Sequence, residues 1–317
     1  MTENGKILAE RILSGDRMAV AKAISRIEDE ADNYQRLLDL IYYAVGKAYR
    51  IGITGPPGSG KSTLTNYLAK LLRSEEKKVA IIAVDPTSPF TGGAILGDRF
   101  RMHELTMDTG VFIRSMATRG SLGGLAAKAL EVADILDAAG YAYIIFETVG
   151  VGQVELDIAE AADTTLVMVV PEGGDIIQGL KAGLMEIGDL FVVNKSDRPG
   201  AHQMQRDLEY VLHLRESAVE WHPKVLLTVA HKNQNIDKVR YEISVHKRFL
   251  EEKNRLQGKR NKRLRRRVEM LVRSEMENSF WNEERLNKLA TYLQKDHKKR
   301  SPYRLAQEML EELLKRF

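Results

Sequence analysis

The feature that most narrows the fold is a series of short, unbroken apolar runs rich in β-branched residues. RIGITG, KVAIIAVD, YAYIIFETVG, TTLVMVV, DLFVVNKSD and KVLLTVA are spread between Arg50 and Ala230. A strand with one wet face alternates apolar and polar residues. These runs do not alternate, so both faces of each strand must be covered. Helical stretches separate them, among them Ser62 to Arg73, Leu122 to Ala139 and Ala201 to Leu214. Doubly buried strands alternating with helices predict an α/β fold with a mainly parallel, doubly wound sheet. Ligands of such sheets bind at the carboxyl ends of the strands.

The flanks have a different texture. Residues 5–47 read as short helices, from Ile7, Leu8, Ile12 and Leu13 and again from Leu37, Leu38, Ile41 and Tyr42. From about Val245 the chain is helical and highly charged. Lys247 to Arg267 is densely basic, yet Leu264, Val268, Leu271 and Val272 keep an apolar stripe. A last helix, Pro302 to Phe317, opens on Ser301 and Pro302, a fitting cap and first-turn pair. The expected division is a helical extension over 1–48, an α/β domain over 49–245 and a helical segment over 246–317.

Composition excludes several classes. The 317 residues contain no cysteine, which removes disulfides, thiolate metal sites and cysteine nucleophiles together. That fits a reducing cytoplasm. MTENGKILAERILSGD carries charges where a signal peptide needs an apolar stretch, and no apolar run approaches the ~18 residues of a membrane span. A net charge of +4 does not argue for nucleic acid.

The chemistry sits at the strand ends. Gly55-Pro56-Pro57-Gly58-Ser59-Gly60-Lys61-Ser62 matches G-x-x-x-x-G-K-[ST], between a strand and the helix STLTNYLAKLL that runs on through Thr63. Glycines let backbone N–H groups wrap phosphates, and the helix N-terminus adds its positive end. Lys61 is expected to reach the β- and γ-phosphates and the Ser62 hydroxyl to bind Mg²⁺. Asn194-Lys195-Ser196-Asp197 ends a later strand. Alone it is also a good turn. At that strand end it reads as a base-reading motif, in which the Asp197 carboxylate accepts from the N1–H and amine of guanine. Adenine offers no such donor pair.

Two carboxylates lie between these motifs. Asp85 ends VAIIAVD, and Glu147 ends YIIFETVG, three residues before Gly150. Each is a candidate holder of Mg²⁺, directly or through water, although Asp85 before Pro86 also suits a plain turn. Gly150 is placed to give its N–H to the γ-phosphate. No glutamine follows it directly, so the group that positions water is unassigned. Arg101, Arg114 and Arg119 read as residues of mobile segments that could supply positive charge, each also readable as an ordinary ion-pairing arginine. Slow intrinsic turnover, with a partner completing the site, is the expectation.

VDPTSPFTGGAILGDRFRM, ETVGVGQVELD and GDIIQGLKAG follow one another between the glycine loop and NKSD. With these motifs the chain, over roughly residues 5 to 280, resembles the MeaB/ArgK-type P-loop GTPases of the SIMIBI class. The human counterpart is the methylmalonic aciduria type A protein. The resemblance implies a GTP hydrolase that chaperones an adenosylcobalamin-dependent acyl-CoA mutase, with cobalamin reached only through that partner. Asp85, Asp98 and Glu147 match carboxylates around the metal and switch regions. Arg101 falls in the first switch, and Gln153 and Glu155 fall in the second. Asp175, Gln178 and Lys181 match a third loop that signals to the mutase. Lys61, Glu147, Asp98 and Arg101 are the implied catalytic set. The C-terminal helices match a homodimerisation arm.

Two departures stand out. Val154 replaces a common serine, and LLTVAHKNQNID replaces a glycine-containing guanine loop. Thr228, Val229 and Ala230 remain to hold the base, and Asn233 and Asn235 are residues that tolerate left-handed backbone. Competing readings are a nickel-delivery GTPase, which predicts His or Cys clusters that the scattered histidines do not form, and an amino-acid-transport kinase. An RNA-binding role for KRNKRLRRR lacks interleaved aromatics, and a solvated face is the plainer reading of that run.

Overall fold

Each of the six apolar runs becomes a strand, and a seventh joins them in a single all-parallel sheet. In a computed structural model, residues 3–85, 103–117, 126–148, 154–171, 183–214, 220–296 and 301–314 are described. The strands are β1 (Tyr49–Thr54), β2 (Val79–Asp85), β3 (Val111–Ala117), β4 (Tyr143–Thr148), β5 (Thr164–Val169), β6 (Leu190–Val193) and β7 (Lys224–Leu227). They lie in the order β3-β2-β4-β1-β5-β6-β7. In β2, Ala80, Ile82 and Val84 face one core while Val79 and Ile81 face the other. In β4, Ile144 and Phe146 oppose Tyr143 and Ile145 in the same way. Both faces are apolar because both are covered.

The first face is covered by α1 (Glu3–Leu13), α2 (Arg17–Glu28), α3 (Tyr34–Ile41) and α6 (Ala126–Ala138), through Ile12, Ile24, Ile27, Ile41, Val132 and Leu136. Asp16 caps α2 by accepting from the amides of Met18 and Ala19. The second face is covered by α4 (Lys61–Ser74) and α10 (Ile236–Glu252). Short α5 (His103–Thr106) precedes β3, and α7 (Val154–Ala161) follows β4. Then come α8 (Leu184–Ile187) and α9 (Ala201–His213), whose Met204 and Leu208 pack on Val167, Phe191 and Val193.

The strand missing from the sequence reading is β3. It is an edge strand paired only with β2, and its run VFIRSMA is broken by Arg114 and Ser115. Arg114 is therefore a strand residue, and its guanidinium is engaged by Glu28 of α2.

The basic run also departs from expectation. Helix α11 (Arg255–Phe280) turns Lys259, Arg260 and Arg263 toward the amino ends of the strands. The fully buried Asp163 accepts from Arg263 at 2.9 Å, lies 3.5 Å from Arg260, and takes the backbone amide of Arg50 at 3.0 Å. Lys259 reaches the Asp163 carbonyl at 3.0 Å and the Asp189 carboxylate at 3.2 Å. Nearby, buried Arg50 pairs with Asp134 at 2.7 Å, while Asp137 caps the amides of Gly46, Lys47 and Ala48. For these three residues a solvated face is corrected to a set of ion pairs. A buried carboxylate such as Asp163 must find cations, and the helix supplies them.

The chain forms two compact units, 1–263 and 264–317, and residue 245 falls inside α10. The second unit contains the rest of α11 with α12 (Glu283–Asp296) and α13 (Pro302–Leu314). Ser301 accepts the Arg304 amide at 3.3 Å, as its place before Pro302 predicts. Leu264, Val268, Leu271, Val272 and Met276 stand at least 45% exposed along one stripe of α11. Among the described residues no helix is long and apolar enough to cross a membrane.

Candidate nucleotide-binding site

The glycine loop joins central strand β1 to α4, and its path depends on backbone that side chains would forbid. Gly55 has φ +137° and faces the Met168 carbonyl so closely that a Cβ there would collide with it. Gly60, at φ +94°, lies equally close to the Asn194 amide group. Gly58, at φ +75°, has open space around it and is required for its dihedral alone. Helix α4 starts at Lys61 without a side-chain cap, so its first amides face the loop. The Lys61 ammonium is buried and donates to the carbonyls of Gly55 at 2.8 Å and Pro56 at 3.0 Å. Pro57 and Thr63 lie within the same loop–helix turn.

At the carboxyl end of β4, Glu147 is buried, and the Ser62 hydroxyl donates to its Oε1. Beneath them the hydroxyls of Thr148 and Thr54 are 3.2 Å apart. A hydroxyl and a carboxylate held together at the helix start are hard oxygen donors, and they fit Mg²⁺. Asp85 ends β2 beside β4, with Val84 in register with Thr148, so its backbone reaches the same edge of the sheet.

The base end is built around Asn194. Its Nδ2 donates to the Ser59 carbonyl at 2.7 Å, and its Oδ1 accepts from Thr228 Oγ1 at 3.1 Å and the Ala230 amide at 2.9 Å. The amide of Ser196 binds the Thr228 carbonyl at 2.9 Å. Lys195 adopts φ +58°. Thr228, Val229 and Ala230 are all buried. The loop that departs from the glycine pattern keeps its shape because Asn233 and Asn235 sit at φ +54° and +62°, and Asn235 Nδ2 holds the Leu227 carbonyl at 2.9 Å. Asp197 is paired with Lys232 at 3.0 Å. The Lys232 hydrogen bond, aided by one from the residue's own backbone amide and by the Lys232 charge, holds the Asp197 carboxyl below its usual range.

Two features escaped the sequence. Asn194 ties the phosphate loop to the base loop, and Lys232 faces Asp197. Both are contacts between distant segments, and no spacing rule announces them. The structure brings Ser62 to Glu147 and Asn194 to Ser59, Thr228 and Ala230. Asp98, Arg101, Arg119, Gly150, Gln153, Asp175, Gln178 and Lys181 lie outside the described residues. Glu155 lies in α7, with its side chain outside the described set.

The family model described as "Methylmalonyl Co-A mutase-associated GTPase MeaB" matches residues 19–285. The chain belongs to the MeaB family. A protein of Pyrococcus abyssi named as a GTPase is 48% identical over 268 residues, covering 84% of this chain and 83% of that protein. GTPase ArgK of Escherichia coli is 41% identical over 265 residues, covering 80% of each. A crystal structure described as a LAO/AO transport system kinase superposes with TM-score 0.76 at 30% identity, covering 99% of each chain. This MeaB-family chain is accordingly a guanine-nucleotide-binding P-loop GTPase, and its phosphate loop, Ser62–Glu147 corner and Asn194 hub share one edge of the sheet.

Proposed function

We propose that this GTPase is a Mg²⁺-dependent chaperone of an adenosylcobalamin-dependent acyl-CoA mutase, gating cofactor loading and protecting the loaded enzyme. The observation that carries the proposal is the family match across residues 19–285, which spans the site and both of its loops. Backbone N–H groups of Gly58 to Ser62 hold the phosphates, with Gly55, Pro56 and Pro57, the prolines having no N–H to give, shaping the turn. Lys61 exchanges its loop carbonyls for phosphate oxygens, a stronger, charge-assisted partner. Ser62, Glu147 and Asp85 hold the metal, which when bound neutralises charge developing on the transferred phosphoryl group. Asn194, Lys195, Thr228, Val229 and Ala230 frame the base, and Asp197 selects guanine over adenine.

Asp98, Arg101 and Gly150 act on the γ-phosphate side. Gln153, Glu155, Asp175, Gln178 and Lys181 relay the nucleotide state to the mutase. The exposed stripe on α11 supports a homodimer with the C-terminal helices as the arm, and the cysteine-free sequence is compatible with a cytoplasmic setting.

The test measures GTP hydrolysis by the full chain with and without methylmalonyl-CoA mutase or a related acyl-CoA mutase. Acceleration on mixing is expected, from a basal rate below ~1 s⁻¹. Indifference to every such mutase would overturn the chaperone assignment and leave the GTPase intact. The transport-kinase description of the solved relative gives a second reading. Radiolabelled γ-phosphate distinguishes them: released as free phosphate by a GTPase, retained on an acceptor by a kinase.

A further inference from the structure

In the loop after β7, Asn233 and Asn235 stand where the family pattern has glycines, with Lys232 just before the first of them, and the structure shows what that arrangement brings. Asn233 and Asn235 take the left-handed positions. Val229 and Gln234 close the loop by mutual backbone hydrogen bonds of 3.3 and 3.2 Å. The closure carries the Lys232 side chain across to the N-K-x-D turn, where its ammonium lies 3.0 Å from Asp197 Oδ2. We infer that Lys232 is a positioning residue for guanine recognition, setting the orientation of the Asp197 carboxylate through this ion pair. The inference rests on Asp197 being the guanine reader.

The geometry makes the arrangement workable. Guanine presents two parallel donors, N1–H and the exocyclic amine, and a carboxylate meets them with one lone pair on each oxygen. A carboxylate has about four lone-pair sites, so Oδ2 can keep Lys232 while both oxygens face the base. Asp197 belongs to an exposed turn whose neighbour Lys195 already stands at φ +58°, and its carboxylate is held by its own backbone amide and by the Lys232 ammonium. Without Lys232 the carboxylate would keep only the bond to its own amide, sample more orientations and lose entropy on meeting guanine. The charged and titratable groups near it are Lys232 and His231 from the base loop, with Lys195 and Arg198 beside it on its own turn. The Lys232 hydrogen bond also favours the anion, the form that accepts from guanine.

The test is GDP and ADP affinity by calorimetry on full-length protein across pH, for wild type, Lys232→Met, Lys232→Arg and Asp197→Asn. A His231→Gln background keeps a neighbouring imidazole charge out of the profile. An exposed pair of this kind is worth little, so Lys232→Met is expected to weaken GDP about two- to fivefold. The acid limb of its profile should move to higher pH, because the carboxylate then protonates more readily. Lys232→Arg should restore both. Asp197→Asn should collapse the GDP preference over ADP. If Asp197→Asn leaves that preference intact, the guanine reading itself is wrong. If Asp197→Asn collapses it while Lys232→Met changes neither affinity nor acid limb, the positioning role alone is wrong. Tighter GDP binding by Lys232→Met would make Lys232 a competitor and equally overturn it.

Discussion

Truncating Asn194 would strand several partners at once. The Ser59 carbonyl loses its amide donor, while Thr228 Oγ1 and the Ala230 amide lose their acceptor, all in a buried setting. Asn194→Ala is expected to cost about 1–3 kcal/mol of folding stability. It should also weaken GDP and GTP together, since both loops lose their brace. Urea midpoints and calorimetry check this, and an unchanged midpoint would rule the brace out. Gly55→Ala should abolish nucleotide binding outright, because the Cβ meets the Met168 carbonyl and the φ of +137° strains any L side chain. Filter-binding of labelled GTP reads the loss. At this scale the sequence was informative wherever a residue type carries its own geometry. The loop glycines and the left-handed asparagines are such cases. Asn194 bridging to Ser59 was illegible because the two are joined only by the fold.

Among the elements, the first turns of α11 and the middle of α10 hold the amino-terminal side of the sheet through buried titratable groups. Burial alone would raise the Asp163 carboxyl, but the charges of Arg263 and Arg260 and the Arg50 amide overturn that and hold it below its usual range. A carboxyl lowered by folding contributes stability above its unfolded value, and that contribution disappears as pH falls through the folded one. Asp163→Ala leaves Arg260 and Arg263 without their anion, and about 3–5 kcal/mol of lost stability is expected at pH 7. Chemical denaturation measures it.

His246 acts in a different window. It packs against Trp221 with ring centroids 4.5 Å apart and shares a 2.8 Å hydrogen bond with Thr164. Burial pushes its imidazole down to about 4, against the pull of Asp189. The unfolded chain then takes up the proton first, so stability is lost as pH falls from about 6.5 to about 4, by about 3 kcal/mol. Wild-type urea midpoints should drop across that range, and His246→Asn should flatten the drop. Strands with unbroken apolar runs were readable in advance, edge strand β7 included, whereas β3 was not, because Arg114 and Ser115 interrupt its run. The basic run misled for a related reason: composition reports charge but not the partner that consumes it.

On the scale of the whole molecule, the sheet separates two kinds of work. Its carboxyl edge carries the nucleotide loops, and its amino edge carries the Asp163 and Asp189 ion pairs. A chain ending at Arg263 retains every described partner of Asp163 and is expected to bind GDP within about twofold of the full chain. It should also be monomeric by light scattering if the C-terminal helices form the dimer arm. A chain ending at Glu252 lacks Lys259, Arg260 and Arg263, and should unfold at markedly lower urea. Equal stability of the two truncations would refute the role given to the cluster. The strand order has a last consequence. Central β1 pairs with β4 and β5, and its partner Tyr143 lies roughly ninety residues downstream of Tyr49. On the ribosome, Ile51 and Ile53 leave the exit tunnel long before anything can pair with them. Such non-local closure makes folding slow, and the nascent chain is most prone to aggregation in that interval.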